Sequence, residues 1–496
     1  MNMDFYYRKM DKSDIEQLTQ LDTLNELLQY TAQRNTTKEA LYDKSGSLTY
    51  QELYESSKQI ASRLKHIFDK KQRIAIVADP SVLWIRAFFG IVYAGMTAVL
   101  IPPSMPPAAI SGILHSTDTD GLVYGECISG CIDEISGKPL ALCMSLEEFC
   151  NGDSEEVSEE IQVTPETVAA YFFTTGTTGV NKCVPLTHRV IMRNAYNGML
   201  GIPSHSDDRC LAVLPFIHVF GLVRSVISFL YEGGSVYINE NIKTLLPNLQ
   251  WAKPTTLILV PSLAESLCDL AQKRGINVLG GCLRTIITGG SAMKPKTKED
   301  YLKLGINLLQ GYGLTEASMI CGNTDEEKCF ASVGKAYPGT EVKIEVGEIL
   351  IRGENVFGGY LDPTDNIGAF RDGWYCTGDL GYIDDEGFIY ITGRKKFLII
   401  TENGENISPE ALEARIDALQ GVVESLVYES CNAAGKKGIA ADIYAPELSQ
   451  EECEAAIYEL NKSLLESQRI YQVNQVHEPL ARNAGKKLIR KMQGGS

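Results

Sequence analysis

The sequence predicts an α/β protein: a large N-terminal domain built on parallel strands, then a small α+β domain. Three observations carry this reading. Arg73 to Ala78 is a short run rich in β-branched residues, Ser81 to Ala94 is helix-like, and Thr97 to Ile101 is a second such run. Strand, helix and strand joined by short links form the unit of a parallel sheet. Buried-strand patterns then recur at Leu211 to Leu214, Ser235 to Ile238, Thr256 to Val260, Thr285 to Thr288 and Asn307 to Gln310. Beyond Arg394 the pattern changes. Ser408-Pro409-Glu410 is a helix start, with Ser as N-cap and Pro in the first turn. Val422 to Tyr428 and Gly438 to Tyr444 read as strands, and Ser449 to Leu465 as a second amphipathic helix. The predicted domains are therefore 1–394 and 395–496, with a tight junction at Lys395-Lys396 and no Pro/Gly-rich linker.

Composition narrows the function. The chain has 496 residues, with 63 Asp+Glu against 46 Lys+Arg and a net charge of -17. That balance argues against a general nucleic-acid binder, while leaving room for a local basic site. The 44% hydrophobic and 22% charged fractions exclude a disordered chain. Thirteen cysteines are scattered, which suits reduced thiols rather than a disulfide framework. Met1 to Lys9 has no apolar signal core, and Arg86 interrupts the most apolar stretch, Val82 to Ile101. The expectation is a cytoplasmic protein with no integral membrane segment and no nucleic-acid partner.

Several loops carry chemistry. Tyr171-Phe172-Phe173-Thr174-Thr175-Gly176-Thr177-Thr178-Gly179-Val180-Asn181-Lys182 is an apolar run feeding hydroxyls and glycines, closed by a lysine. Glycines let backbone N–H groups approach phosphate oxygens, and Thr and Lys add donors and charge. It is not a Walker A loop, since Asn181 precedes the lysine and Cys183 follows it. A plain Gly/Thr turn is the competing reading. Gln310-Gly311-Tyr312-Gly313-Leu314-Thr315-Glu316 begins like a dinucleotide fingerprint, but Glu316 stands where the third glycine belongs. Tyr312 there offers a ring to a base and Glu316 a carboxylate to Mg²⁺, against a structural turn with a solvated Glu. Trp374-Tyr375-Cys376-Thr377-Gly378-Asp379 ends in an acid able to accept both ribose hydroxyls, though Gly-Asp is a common turn pair. Gly393-Arg394-Lys395-Lys396 and the tail cations Arg482, Lys486, Lys487, Arg490 and Lys491 are local positive patches on an acidic protein.

In this order the segments resemble the adenylate-forming superfamily, which includes acyl-CoA synthetases, luciferases and the adenylation domains of peptide synthetases. Thr174 to Lys182 is similar to its phosphate loop, Gln310 to Glu316 to its Tyr-Gly-x-Thr-Glu motif, and Tyr375 to Asp379 to its Tyr-x-Thr-Gly-Asp motif. Gly393-Arg394 and Gly404 to Pro409 are similar to its hinge region. The resemblance implies a large multi-sheet N-terminal domain and a small mobile C-terminal domain. It implies that Thr174, Thr175, Gly176, Thr177, Thr178, Gly179 and Lys182 grip the ATP phosphates. It further implies that Tyr312 stacks on adenine, Thr315 contacts the α-phosphate and Glu316 holds Mg²⁺. Asp379 would bind the ribose with Arg394 assisting, and Lys396 would be the hinge residue. Leu480 to Arg490 aligns without gaps to the family's lysine motif, which makes Lys487 the catalytic lysine; the literal Gly485-Lys486 pair favours Lys486 instead. Asn181, Cys183, Ala481 and Lys486 depart from the family pattern.

The implied reaction is activation of a carboxylic acid as acyl-AMP, followed by transfer to a thiol. Bringing a carboxylate to a triphosphate gathers negative charge, so Mg²⁺ and a lysine are needed as electrostatic stabilisers. Leu214-Pro215-Phe216-Ile217-His218-Val219-Phe220-Gly221 resembles the acyl-CoA synthetase motif whose histidine lies near the acyl carboxylate, which nominates His218. No acid occurs from Leu211 to Leu230. A buried substrate ammonium would be left unpaired there, so a neutral-chain or aromatic acid is expected rather than an α-amino acid. The surrounding segment, with Lys253-Pro254-Thr255 and Val260-Pro261-Ser262, looks most like fatty-acyl relatives, which makes a fatty or other non-amino acid the expected substrate. The acceptor is CoA or the phosphopantetheine of a carrier protein. A nucleotide-binding module without catalysis is the third reading.

Overall fold

The computed structural model describes residues 21–68, 72–135, 139–152, 161–175, 181–201, 206–322, 331–400, 405–431, 437–482 and 488–490. The chain forms two compact units. One comprises Met1–Glu341 and Ile351–Tyr375, the other Val342–Leu350 and Cys376–Ser496.

The first unit holds two large sheets. The strands in chain order are β1 (Glu39–Asp43), β2 (Gly46–Thr49), β3 (Arg73–Val77), β4 (Thr97–Leu100), β5 (Gly121–Tyr124), β6 (Leu142–Ser145), β7 (Val168–Thr175), β8 (Asn181–Thr187), β9 (Arg209–Ala212), β10 (Ser235–Ile238), β11 (Thr256–Leu259), β12 (Thr285–Thr288), β13 (Asn307–Tyr312), β14 (Cys321–Gly322) and β15 (Lys335–Ala336). One sheet has the order β6-β5-β3-β4-β7-β8, the other β15-β14-β13-β12-β11-β9-β10-β1-β2. The expected βαβ unit is present: β3 pairs β4 in parallel, joined by the helix Val82–Tyr93. Ser81 caps that helix by accepting the Trp84 N–H. Trp84, Ile85, Phe88 and Phe89 are buried in it, so the most apolar stretch of the sequence is a core helix. Each large apolar side chain so placed contributes about 1.5–3 kcal/mol.

In the second sheet β10, β9, β11, β12 and β13 run parallel. Their carboxyl ends therefore lie along one edge. The loops that follow β9, β12 and β13 leave from that edge, where ligands of open α/β sheets bind. The strand expected at Leu211 to Leu214 is set two residues earlier, at Arg209–Ala212. The Arg209 N–H donates to Thr255 Oγ1 and the Ala212 carbonyl accepts from Asn239, which fixes both ends.

In the second unit β16 (Thr340–Glu345) and β17 (Glu348–Gly353) enter through Val342–Leu350, followed by β18 (Phe370–Arg371) in the first unit. Then β19 (Trp374–Ile383) pairs β20 (Ile389–Arg394) antiparallel, with Asp379 opposite Arg394. After β21 (Ile399–Ile400) and β22 (Asn406–Ile407) come β23 (Glu424–Cys431), β24 (Lys437–Tyr444) and β25 (Ile470–Val476), a three-stranded sheet flanked by the helices Pro409–Ile416 and Gln450–Asn461. Ser408 caps the first of these helices as the sequence implies, and Ser449 caps the second. The second helix ends at Asn461 rather than Leu465. The Asn461 side chain accepts from the Ile470 N–H at 2.9 Å and donates to the Ile470 carbonyl at 2.8 Å, turning the chain into β25. Among the described residues no helix is long and apolar enough to cross a membrane.

Candidate active site

In the first unit three distant segments meet around one tyrosine. The stretch expected to grip phosphates is a hairpin: β7 and β8 pair antiparallel, with Thr174 opposite Lys182 and Thr175 opposite Asn181. The residues joining them, among them Gly176, Thr177, Thr178 and Gly179, lie outside the described residues, as do the side chains of Thr175 and Asn181. Lys182 Nζ stands 3.2 Å from Asp365 Oδ1 and 4.7 Å from the centre of the Tyr360 ring. On the other side, the Tyr360 hydroxyl donates to Glu316 Oε1 at 2.6 Å. The Tyr360 and Tyr375 hydroxyls are 3.0 Å apart. Burial, and then the Glu316 charge, push both tyrosines well above their ordinary values, so they remain protonated donors. Glu316 is thus a buried carboxylate with a fixed orientation. Its backbone carbonyl also accepts the Phe357 N–H at 2.9 Å.

The loop after β13 is tight for a physical reason. A Cβ at Gly313 would stand 1.7 Å from the Ser318 carbonyl oxygen, so only glycine admits this approach. Leu314 and Ala317 exchange backbone hydrogen bonds across the turn. Thr315 is half-buried on it, and Tyr312, just before it, is buried. His218 is exposed in the turn after β9; its N–H donates to the Pro215 carbonyl and its carbonyl accepts from Leu222. Phe220 follows, packed on Gly289 beyond β12, where a Cβ would lie 3.1 Å from the ring.

The second unit gathers another group. Arg394 Nε meets Asp379 Oδ1 at 2.9 Å, and Asp379 is almost wholly buried. Gly378, at φ 71°, donates its N–H to Glu348, which also takes Lys395 Nζ at 2.8 Å. Partial desolvation, and then the Arg394 charge, lower Lys396 below the usual lysine value, opposed by Asp379 and Glu410. Lys396 stacks over the Phe397 ring at 4.7 Å. Lys486, Lys487 and Gly404 lie outside the described residues.

A family model for AMP-binding enzymes matches residues 28–361. The chain belongs to that family. AMP-binding enzymes of this kind are AMP-forming acid–thiol ligases, and their reagents are ATP, Mg²⁺ and CoA. This AMP-binding enzyme is 27% identical over 493 residues to a 2-succinylbenzoate–CoA ligase of Bacillus cereus, covering 95% of this chain and 98% of that one. It is 28% identical over 439 residues to a putative acyl-CoA ligase, YdaB, of Bacillus subtilis, covering 82% and 86%. Among solved structures it resembles ATP-bound MatB of Rhodopseudomonas palustris, with 25% identity, TM-score 0.83 and 94% and 97% coverage. It also resembles the Bacillus subtilis o-succinylbenzoate CoA synthetase (MenE) bound to its acyl-adenylate, with 25% identity, TM-score 0.81 and 95% and 98% coverage.

The donor set of the first unit, Lys182 and the oriented buried Glu316 carboxylate, suits a metal-bound phosphate; within the second unit Asp379 is separately paired with Arg394. Tyr360, Asp365 and Glu348 carried no sequence signal that singled them out. Tyr360 lies between Gly359 and Leu361 in an ordinary aromatic context, and only the fold brings it between Lys182 and Glu316. Tyr360→Phe removes the hydroxyl that orients Glu316. If Glu316 holds Mg²⁺, as the resemblance implies, the Mg²⁺ concentration for half-maximal pyrophosphate release should rise about tenfold. A magnesium titration checks this; an unchanged curve would separate Tyr360 from the metal.

Proposed function

We propose that this chain activates a carboxylic acid as its acyl-AMP and then transfers the acyl group to the thiol of CoA. The observation that carries the reading is the convergence of Lys182 and Glu316 on the two sides of Tyr360. In the first half-reaction a carboxylate oxygen attacks the α-phosphorus of ATP, the new O–P bond forms and pyrophosphate leaves. In the second, the thiol sulfur attacks the acyl carbon, the C–S bond forms and AMP leaves. Most of the catalysis is positioning and charge.

Thr174 to Lys182 grip the phosphates, Tyr312 stacks on adenine and Thr315 contacts the α-phosphate. Asp379 and Arg394 hold the ribose. Glu316 is the carboxylate for Mg²⁺, which when bound supplies positive charge to the phosphate oxygens. His218 borders the acyl carboxylate. Lys487 bridges that carboxylate and the α-phosphate. The division at 394/395 lets the small domain turn about Lys396 between the half-reactions, a hinge motion.

The acid is a compact, ring-bearing or similarly short one rather than a long-chain fatty acid. Support comes from relatives named 2-succinylbenzoate–CoA ligases that match nearly end to end. The test is pyrophosphate release from ATP and Mg²⁺ across a panel of carboxylic acids, each with and without CoA. Release that needs one acid class, with acyl-CoA formed, bears the reading out. Adenylate without CoA turnover would point to a carrier-protein thiol. ATP binding with no release across the panel would sink the ligase reading in favour of a binding module.

A further inference from the structure

The lysine expected to meet the ATP phosphates already has an anion of its own. Lys182 Nζ stands 3.2 Å from Asp365 Oδ1, and the two side chains are 28% and 29% exposed, so the pair is partly shielded from water. The ammonium also lies over the Tyr360 ring, 4.7 Å from its centre. Carboxylate and ring come from one short segment, five residues apart, and together they hold Lys182 from two sides.

That segment has a fixed shape. The Asn366 side chain accepts the Tyr360 N–H at 2.8 Å and donates to the Tyr360 carbonyl at 3.0 Å, which closes residues 360–366 into a loop. Asp362 caps the short turn Pro363–Asn366 by accepting the Thr364 N–H at 2.8 Å, and the Asp365 N–H donates to the Asp362 carbonyl at 3.1 Å. A Cβ at Gly359 would lie 2.9 Å from Asn366 Oδ1, so the closure needs a glycine there. The Leu361 N–H donates to the Cys183 carbonyl at 3.1 Å, which ties the loop to β8 at the residue next to Lys182. Ammonium and carboxylate therefore sit on two backbones that are bonded to each other. Most exposed ion pairs lose their gain to the entropy of two free side chains. Here the backbones bear part of that cost.

We propose that Asp365 is a positioning residue that competes with the phosphates for Lys182, weakening the hold on ATP and easing the departure of pyrophosphate. The inference rests on the ligase reading and concerns the regulation of its phosphate site. One ammonium does not serve a carboxylate and a triphosphate at full strength. For the phosphates to take Lys182, its contact with Asp365 must open. The apparent affinity then falls by the fraction of molecules in which the lysine is released. The same competition runs in reverse when pyrophosphate leaves, because Asp365 takes the ammonium back.

The test is calorimetric titration of the full-length protein with ATP, and separately with inorganic pyrophosphate, each with MgCl₂. Asp365→Asn should bind both about three- to fivefold more tightly, the scale of one partly exposed ion pair that no longer has to open. Asp365→Glu keeps the charge and should stay within about twofold of the wild type. A double-mutant cycle identifies the partner. With Lys182→Gln in place, and ATP raised to millimolar levels, Asp365→Asn should lose its effect, because competition needs the lysine. The bonds that close the loop come from Asn366, Asp362 and the backbone rather than from the Asp365 carboxylate, so Asp365→Asn should fold. Asp365→Ser is a second variant with the same expected tightening. Weaker binding in both overturns the proposal and makes Asp365 a residue that aims Lys182 at phosphate. Unchanged binding overturns it too. So does equal tightening with and without Lys182, since Asp365 would then act on the nucleotide by plain repulsion. A wild type that binds no ATP would fell the ligase reading itself; a wild type that binds ATP but does not respond to Asp365→Asn fells this inference alone.

Discussion

Lys487→Ala should lower acid-dependent pyrophosphate release by about 10²–10³-fold, the usual scale for removing one preorganised charge from a developing anion. The same variant should still convert preformed acyl-AMP and CoA to the thioester at close to the wild-type rate, because that step expels AMP and gathers no new charge on the α-phosphate. Measuring the two half-reactions separately decides it. Lys486→Ala is the register control. If Lys486 carries the loss and Lys487 does not, the alignment of the tail is one residue out; if both half-reactions fall together, the tail is structural.

Glu413→Ala should destabilise the second unit by about 3–5 kcal/mol, the range for leaving one partner of a buried ion pair uncompensated. Glu413 is 6% exposed. Arg490 Nη1 meets its Oε1 at 2.7 Å, Nη2 meets Oε2, and the same Oε1 accepts the Val427 N–H at 2.7 Å. Arg490 also lies over the Phe397 ring at 5.2 Å. Removing the carboxylate strands the Val427 amide and leaves the guanidinium only Glu410, 3.9 Å from its Nε. Amide hydrogen exchange at Val427 reads the effect directly. Glu413→Leu combined with Arg490→Met should recover most of the stability, since apolar replacement of a whole buried pair is often neutral or better. A single-variant loss under 1 kcal/mol would place this pair among the weak surface contacts.

The parallel sheet was legible because its strands are short β-branched runs ended by Gly or Pro, and that pattern depends on neighbours in sequence. Ser408 was legible as a cap for the same reason. The stretch from Thr174 to Lys182 reads in the sequence as a loop, and its two ends are instead paired strands. Thr174 and Lys182 pair across strands, and register is a long-range property. Tyr360 shows the limit more sharply. It acquires meaning only from its surroundings in the fold, where it lies between a cation and a carboxylate. In the sequence it is a tyrosine after two glycines.

The second unit is discontinuous, and that has a consequence for its synthesis on the ribosome. Val342–Leu350 emerges first, but its partners come later. Glu348 meets the Gly378 N–H after 30 further residues and Lys395 after 47, and the Ile349 carbonyl meets Thr377 after 28. At roughly 5–20 residues per second, the buried Glu348 carboxylate waits about 2–9 s for its lysine. During that interval the nascent segment carries an unpaired strand edge, the kind of surface on which chaperones and misassembly compete. A fragment beginning at Cys376 would never receive that segment, so the small unit should be made whole only from a chain that begins well upstream of it.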